Sequence, residues 1–511
     1  MSNLFNAQKM ITLLFTLAII AGLLLIEIFL TGCSPVGKPM RQSLTSLDAD
    51  GKKLPLPDEL GKRAFIEATN AVNPYSCSFV EFDGRGDYID FQQHHDCWNK
   101  IKKFAEDEGV LLVIYCHGWK NNSQSGDVLK FNTFLSQLSK TKKVQDSKMR
   151  VHGVYLSWRG NIVKPFVDLS SDDQYVDATT TDFGELIVDR SRSRRTKLPG
   201  FLVEQLSYWS RKDSAENKVS GVPLVRSVMT FANVAQKTKN RRDKDNRVFL
   251  MGHSFGALML EQSVLPGIVS PLTAQWAWDK SHGSSNSKSL AGILPFDLIL
   301  LVNSAAPSIY AKEMSDFLAA HGAAQGKKKS PIVISLTSRS DWATRGAHRV
   351  GNLLSPFSPS LRKNYRKRVW DLGDGQRNQD HAPVHQSEFY KRTPGHNPFL
   401  ISKWIIPRET PLPPLENESA FSANLKLENG EAAFYVTDRQ DSSNKKSWKL
   451  VEAEDLDTPS FRYKGQEVTP FKTPYWFVRC EKELIANHGD IWSPQAMDVY
   501  AALFRFSEIS R

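Results

Sequence analysis

The stretch that decides the fold is Val248–Leu260, which reads VFLMGHSFGALML. An apolar run typical of a buried strand leads into the turn Gly-His-Ser-Phe-Gly, and an apolar segment of helical character follows. A serine on a sharp strand-to-helix turn stands clear of the sheet, and Gly252 and Gly256 remove the Cβ atoms that would clash there. The stretch therefore predicts a nucleophile elbow with Ser254 at its tip, beside the positive end of a helix that starts near Phe255.

Other apolar runs of similar length predict the remaining strands of a sheet. Because these runs alternate with helical stretches, they indicate an α/β protein whose mainly parallel sheet is covered by helices on both faces. Two hairpins are also predicted, one turning at 83–86 and one at Asn429-Gly430. The predicted strands are Val110–Cys116, Gly153–Trp158, Arg247–Met251, Asp297–Val302, Pro331–Leu336 and Tyr475–Cys480.

The composition indicates a globular protein with a sizeable core. The chain has 511 residues, of which 41% are hydrophobic and 24% are charged, which suffices for one or two domains. The net charge is +11, and basic runs occur at 190–197 and 362–368. No nucleic-acid-binding motif surrounds these runs, so we expect solvated faces or contacts with an anionic membrane, and no nucleic acid partner.

The N-terminal segment predicts attachment to a membrane. Residues 10–30 are almost all apolar, and they end in Leu-Thr-Gly-Cys33. Small residues before a cysteine suit cleavage of a secretory signal. The motif resembles the bacterial lipobox, which implies cleavage before Cys33 and lipidation of its sulfur. The run also has the ~20 residues that span a bilayer, so an uncleaved anchor is the alternative. Both place the rest of the chain in the cell envelope, facing the periplasm or the exterior.

The predicted organisation is a signal peptide or anchor at 1–32, a polar tether at 33–70 and one domain at 71–511. Two insertions interrupt that domain, at about 160–225 and 345–470. In an oxidising compartment Cys77 and Cys97 could form a disulfide, whereas Cys116 is expected to be a buried thiol. The pair His94-His95 has no second cluster of ligands nearby, so no metal site is predicted.

The predicted elbow requires two hydrogen-bond donors for the oxygen of a tetrahedral intermediate. One is the backbone N–H of Phe255, the residue after the nucleophile. The strand before His117-Gly118-Trp119 ends at Cys116, and this tripeptide resembles the His-Gly-X oxyanion loop of the α/β-hydrolase superfamily. The resemblance assigns the second donor to the N–H of Trp119, with His117 and Gly118 supporting the loop.

An acid and then a histidine follow the serine in chains of this fold. Asp341 comes after the strand predicted at Pro331–Leu336, at the strand ends where catalytic groups gather. Asp297 begins its strand and is the poorer candidate. Among the 12 histidines, His488 lies between the last predicted strand and the last predicted helix. It is the predicted base, and His396 is the reserve candidate.

More narrowly, the chain resembles a little-characterised group of bacterial and fungal serine hydrolases with esterase- or lipase-like character. The resemblance covers about 78–345 and 470–508. It implies an eight-stranded sheet, a Ser254–Asp341–His488 triad and no cofactor. Phe255 departs from the small residue expected after the serine, and its ring is expected to narrow the acyl site. The matching segments are Val80–Gly86, Tyr115–Asn122, Gly153–Gly160, Gly252–Gly256, Leu300–Ser304, Ser340–Thr344 and His488–Trp492.

The predicted function is that of a membrane-tethered serine hydrolase acting on carboxylic esters through an acyl-enzyme. The substrate is an ester or another acyl compound whose identity the sequence leaves open. Two alternatives remain: a non-catalytic envelope lipoprotein that uses the hydrolase fold as a binding scaffold, and an acyltransferase with the same triad.

Overall fold

The structure is a computed structural model. It describes residues 39–45, 55, 57–68, 74–160, 211–242, 246–281, 294–322, 331–347, 387–407, 424–428, 431–437, 445–452, 462–463, 466–467 and 473–509. The signal segment, Cys33 and most of the predicted insertion at 160–225 lie outside the described residues.

The strands in chain order are β1 Phe65–Ala68, β2 Tyr75–Phe82, β3 Val110–Cys116, β4 Arg150–Trp158, β5 Arg247–His253, β6 Leu298–Val302, β7 Val333–Ser338, β8 Lys403–Pro407, β9 Asn424–Glu428, β10 Glu431–Thr437, β11 Lys445–Glu452, β12 Arg462–Tyr463, β13 Gln466–Glu467 and β14 Tyr475–Cys480. The α-helices are α1 Phe91–Asp107, α2 Gly126–Ser139, α3 Lys142–Ser147, α4 Val222–Arg242, α5 Phe255–Met259, α6 Leu265–Ser281, α7 Ser308–Gly322, α8 Ser387–Tyr390 and α9 Pro494–Ile509. Short 3-10 turns occur at Leu60–Lys62 and Pro394–His396, and π-helical turns at Ala215–Val219, Leu260–Val264 and Ala343–Ala347.

The main sheet has 12 strands in the order β1-β2-β4-β3-β5-β6-β7-β14-β8-β11-β10-β9. The block from β2 to β8 is parallel throughout, whereas β1 pairs antiparallel at one edge and β11, β10 and β9 pair antiparallel at the other. The α/β class with a mostly parallel sheet is confirmed, but the predicted number of eight strands is wrong. The extra strands arise because both flanking segments join the sheet: β1 lies in the predicted tether, and β8 to β11 lie in the predicted insertion at 345–470.

Helices cover both faces of the sheet, as predicted. Along β3, Leu112 and Ile114 pack with residues of α1, α4, α6 and α7, while Val113 and Tyr115 pack with residues of α2 and α9. All residues of β3 are buried. The continuous apolar run of this strand therefore reflects a parallel strand with a helical layer on each side.

The disulfide that the sequence allows between Cys77 and Cys97 is absent. Both residues are free and buried, as are Cys116 and Cys480. The side chain of Cys77 belongs to the core on the α2 and α9 face, whereas that of Cys97 belongs to the core on the opposite face. The sheet thus separates the two sulfurs, and burial raises the pKa of the Cys97 thiol well above its ordinary value.

Both predicted hairpins correspond to antiparallel contacts. β9 and β10 pair from Glu428 and Glu431 outward, although the turn Asn429-Gly430 lies outside the described residues. After β2 the chain returns with a single antiparallel bridge between Phe82 and Tyr88. Among the described residues, one helical stretch, Phe255–Ala274, is long and apolar enough to cross a membrane, and most of it is buried inside the domain like a core helix.

Candidate active site

Ser254 occupies the tip of a tight turn between β5 and α5. Its backbone has φ 54° and ψ −116°, a positive φ that is uncommon for a residue with a side chain. Neighbouring glycines make the turn possible. A Cβ on Gly256 would lie 2.1 Å from the carbonyl oxygen of Cys116, and one on Gly252 would lie 2.8 Å from the Cα of Ala257. The predicted strand–turn–helix geometry is therefore present at this serine.

The structure brings Ser254, His488 and Asp341 together although 234 and 147 residues separate the contacting pairs. Nε2 of His488 lies 2.7 Å from Oγ of Ser254. Nδ1 of the same ring lies 3.0 Å from each carboxylate oxygen of Asp341. The His488 side chain is 26% exposed, whereas that of Asp341 is fully buried and Ser254 is only 3% exposed, so a partly exposed imidazole bridges a buried carboxylate and the hydroxyl of a buried serine.

The environment of Asp341 keeps it ionised. Burial opposes the negative charge, but His488 and two hydrogen bonds from Thr344 outweigh that effect and lower the pKa of Asp341 to about 2. The backbone N–H of Thr344 donates to Oδ1 at 3.1 Å, and its hydroxyl donates to Oδ2. A carboxylate held in this way orients an imidazole and stabilises its protonated form.

Two residues at neighbouring strand ends donate hydrogen bonds to the backbone carbonyl oxygen of His488. Nε2–H of His253 donates to the carbonyl oxygen of His488 at 2.9 Å, and Nδ2 of Asn303 donates to the same oxygen at 3.1 Å. Oδ1 of Asn303 in turn accepts from the backbone N–H of Ser338, at the end of β7. Asn303 therefore ties together the loops that carry the imidazole and the carboxylate.

The loop after β3 lies directly against the serine. A Cβ on Gly118 would be 2.9 Å from the Cβ of Ser254 and 2.8 Å from Nδ1 of His253. His117 shapes this loop: the N–H of Trp158 donates to its Nε2 at 3.1 Å, so its Nδ1–H donates to the carbonyl oxygen of Gly118 at 2.8 Å. Burial lowers the pKa of His117 to about 4, and the ring is neutral in this role.

The two predicted oxyanion donors lie on adjacent segments. Trp119 follows Gly118 in the loop, and Phe255 follows Ser254 in the turn. Their rings are 6.4 Å apart between centroids. The Phe255 ring is 1% exposed and packs in the core on the α1 face. The core therefore accommodates the volume of the Phe255 ring.

The reserve base and the poorer acid take no part in the hydrogen bonds that link the side chains of Ser254, His488 and Asp341. His396 is buried beside the backbone of Asp341, and burial lowers the pKa of its ring to about 3. Asp297 precedes β6 at the opposite edge of the sheet, where its carboxylate accepts from the N–H of Val248 at 2.7 Å. Of the two histidines considered, His488 contacts the serine, and of the two acids, Asp341 contacts the histidine.

Three supporting residues were not predicted from the sequence. The sequence marks His253 only as part of the turn, and Asn303 and Thr344 only as members of matching segments. Asn303 directly follows the buried strand β6, and a polar residue at the carboxyl end of a buried parallel strand was the available signal. No comparable signal marks His253, because its bond to the His488 carbonyl spans 235 residues.

The arrangement has the chemistry of an activated nucleophile. A hydroxyl, an imidazole and a carboxylate in hydrogen-bonded series allow the imidazole to take the hydroxyl proton while the carboxylate stabilises the resulting cation. In the described part of the chain, no three His, Cys, Asp or Glu side chains form a group that could hold a metal ion.

Comparisons with known proteins identified no relative of this chain. A scan of protein-family models, a search of curated proteins and a search of solved structures each found no match.

Proposed function

We propose that the protein is a serine hydrolase of the α/β-hydrolase fold that cleaves carboxylic esters through an acyl-enzyme. The observation that carries the proposal is the unbroken hydrogen-bonded series from Ser254 Oγ through His488 to Asp341, with contacts of 2.7 and 3.0 Å. The eight-strand parallel block, with its serine on the central strand β5, is consistent with that fold.

Catalysis begins when His488 takes the proton of Ser254 and the serine oxygen attacks the ester carbonyl. The carbonyl becomes a tetrahedral oxyanion, held by the N–H groups of Trp119 and Phe255. Protonated His488 then gives its proton to the leaving alcohol, which leaves an acyl group on Ser254. A water molecule, deprotonated by the same imidazole, releases the acid and restores the serine.

We further propose that the domain is tethered to a membrane of the cell envelope through a lipidated Cys33. The support is the motif Leu-Thr-Gly-Cys33 at the end of the apolar run at 10–30. Mass spectrometry of the mature N-terminus tests this step. A lipid-modified residue 33 is expected, and retention of residues 1–32 would instead identify the run as an uncleaved anchor.

A fluorophosphonate probe tests the nucleophile, because it reacts covalently with activated serines. Wild-type protein should label and should hydrolyse p-nitrophenyl butyrate. Ser254→Ala should lower both the labelling and the ester hydrolysis by at least about 10³-fold. The matched control is Ser263→Ala in the helical turn that follows, where the hydroxyl only donates to the carbonyl of Met259.

Equal labelling of wild type and Ser254→Ala would refute the assignment, and an unlabelled wild type would favour the scaffold alternative. Transfer of the acyl group to an added alcohol in preference to water would identify an acyltransferase.

A further inference from the structure

The segment Met40–Thr45, called here the N-terminal strap, is an integral part of the folded domain. Arg41 is only 3% exposed. Its backbone N–H donates to Oε2 of Glu81 at 3.0 Å, and its Nε donates to the carbonyl oxygen of Ser123 at 2.6 Å. The bond from the buried guanidinium to Ser123 and the backbone bond to Glu81 together fix the strap to the domain. The tether predicted at 33–70 is therefore part of the folded domain in its described residues from 39 onward.

The strap is attached next to the loop that lies against the serine. Ser123 and Gln124 continue the loop that begins at His117. Oγ of Ser123 donates to Oε1 of Glu81 at 2.6 Å, and Nε2 of Gln124 donates to the carbonyl oxygen of Met40 at 3.1 Å. Met40, at the start of the strap, thus lies beside this loop.

The start of the strap lies at the same edge of the sheet as the catalytic residues, called here the catalytic edge. Glu81 is near the carboxyl end of β2, and Ser254 follows the carboxyl end of the parallel strand β5. Two strands, β4 and β3, lie between β2 and β5. Three strand spacings of about 4.8 Å place the two positions about 14 Å apart along the sheet.

The distance from the proposed lipid anchor to the strap is short. Seven residue steps separate Cys33 from Met40. A fully extended chain of that length spans at most about 25 Å. Lipid insertion at Cys33 therefore brings the catalytic edge, rather than the opposite edge, closest to the bilayer.

The catalytic edge also carries exposed apolar side chains. Of the described residues, three large hydrophobic side chains are strongly exposed: Phe91 (50%), Val222 (68%) and Trp342 (71%). Phe91 begins α1 after β2, and Val222 begins α4, whose other end leads into β5. Trp342 directly follows Asp341. The ring of Tyr88 lies 5.3 Å from that of Phe91, and its hydroxyl donates to the carbonyl of Pro223, next to Val222, at 2.8 Å, so the first two sites are neighbours.

We infer that the catalytic edge faces the membrane and that the substrate is the acyl ester of a lipid in that membrane. The inference rests on the proposed hydrolase activity and on the proposed anchor. Exposed Trp and aliphatic side chains suit the membrane interface, and exposed Lys120 on the adjacent loop suits anionic headgroups. The short tether keeps the serine at this interface, where lipid esters are concentrated.

Lengthening the tether tests the inference. Full-length protein is reconstituted in vesicles of phosphatidylethanolamine and phosphatidylglycerol that contain a fluorogenic acyl-ester lipid. A flexible Gly/Ser linker of about 20 residues is inserted between Gly37 and Lys38, and the matched control carries the same linker after Arg511. The insertion should lower lipid-ester hydrolysis about five- to tenfold, because effective concentration falls as roughly the −3/2 power of tether length.

Hydrolysis of p-nitrophenyl butyrate by the same preparations separates the two proposals. Unchanged hydrolysis of this soluble ester together with reduced lipid hydrolysis supports the inference. Normal soluble activity with lipid hydrolysis that is absent in the wild type, or insensitive to the inserted linker, overturns it and leaves the proposed hydrolase intact. Absence of soluble activity in the wild type contradicts the proposed function itself.

A fluorescent label tests the orientation independently of activity. Trp342→Cys is labelled with a polarity-sensitive fluorophore in the full-length protein on the same vesicles, and Gln145→Cys is the control. Gln145 is exposed at the end of α3, just before β4, and so lies at the opposite edge. The four other described cysteines are buried. A blue shift at position 342 alone is expected, and equal spectra at both positions would overturn the orientation.

Discussion

Nε2–H of His253 donates to the backbone carbonyl oxygen of His488 at 2.9 Å, so the residue before the nucleophile holds the residue that carries the base. Burial lowers the pKa of His253 to about 4, and His488 contributes to the same shift. The ring is therefore neutral near pH 7, and its single proton is committed to Nε2. Its Nδ1 faces the position of Gly118, so this one ring touches the loops on both sides of the serine.

His253→Ala should lower kcat by about 10- to 100-fold with little change in KM, because the loss of this bond lets the imidazole drift from the serine. The residue positions the base and does not itself react. His253→Gln retains an N–H donor and should recover part of the loss. Equal kcat in wild type and His253→Ala would contradict the positioning role, and a uniform fall in thermal stability without a change in kcat would indicate a purely structural one.

Asp341→Asn should lower kcat by about 10⁴-fold while leaving fluorophosphonate labelling slow but detectable, because an amide cannot stabilise the protonated imidazole. Thr344→Val is a milder variant that removes the hydroxyl donor to the carboxylate and keeps the backbone donor. It should lower kcat by about tenfold or less. Comparable losses in both variants would argue against the charge of Asp341 as the main contribution.

The charge of Asp341 also predicts a pH dependence of folding stability. Its pKa is about 2 in the folded protein against an ordinary 3.8. Because the folded pKa is the lower one, the stabilisation is present above about pH 4 and is lost as the pH falls toward about 2, with a size on the order of 2 kcal/mol. Urea titrations of wild type and Asp341→Asn across this window measure it. A wild-type curve no steeper than that of the variant would contradict the prediction.

The sequence predicts the residues of the candidate site more completely than it predicts the strands at the edges of the sheet. Ser254, Asp341 and His488 each follow a strand of the parallel block, and the rule that such ends meet at one edge was enough to bring them together. Of the strands β8 to β11, the sequence predicts only the hairpin of β9 and β10, and it does not place these strands in the main sheet, because their segment is rich in proline and charge and has the character of an insertion. Sheet membership at an edge depends on which strand is left unpaired, a property of the folded sheet rather than of the local sequence.

The sequence leaves the pairing of Cys77 and Cys97 open for a related reason. Spacing along the chain does not tell on which side of a sheet a cysteine lies, and in the structure β2 directs Cys77 to one face of the sheet while α1, which carries Cys97, covers the other. The sequence does not predict that the strap belongs to the folded domain, because Arg41 lies in a polar segment where a solvated charge is expected. Its burial depends on Glu81 and Ser123, which lie 40 and 82 residues away.

Gly118→Ala should lower activity by about tenfold or more without unfolding the protein. The added Cβ would meet Nδ1 of His253 at 2.8 Å and Cβ of Ser254 at 2.9 Å, which forces the oxyanion loop away from the serine. The matched control is Gly267→Ala in α6, where a Cβ has nothing within 4 Å and should stabilise the helix by about 0.5–1 kcal/mol. Full activity of Gly118→Ala would show that this loop contributes no donor.

Glu261→Gln should make the protein more stable in alkaline solution. Glu261 is buried behind the elbow, where the hydroxyl of Tyr475 donates to Oε1 at 2.9 Å, and burial raises its pKa to about 8 from an ordinary 4.5. Since the folded pKa is the higher one, the protonated group favours the folded state at low pH, and this contribution is lost as the pH rises from about 4.5 to about 8. Glutamine keeps an acceptor for Tyr475 and cannot ionise, so the variant should lack this decline and gain on the order of a few kcal/mol near pH 8. Denaturant titrations at several pH values provide the measurement, with exposed Glu483→Gln as the control. A decline equally steep in wild type and Glu261→Gln would place the titrating group elsewhere.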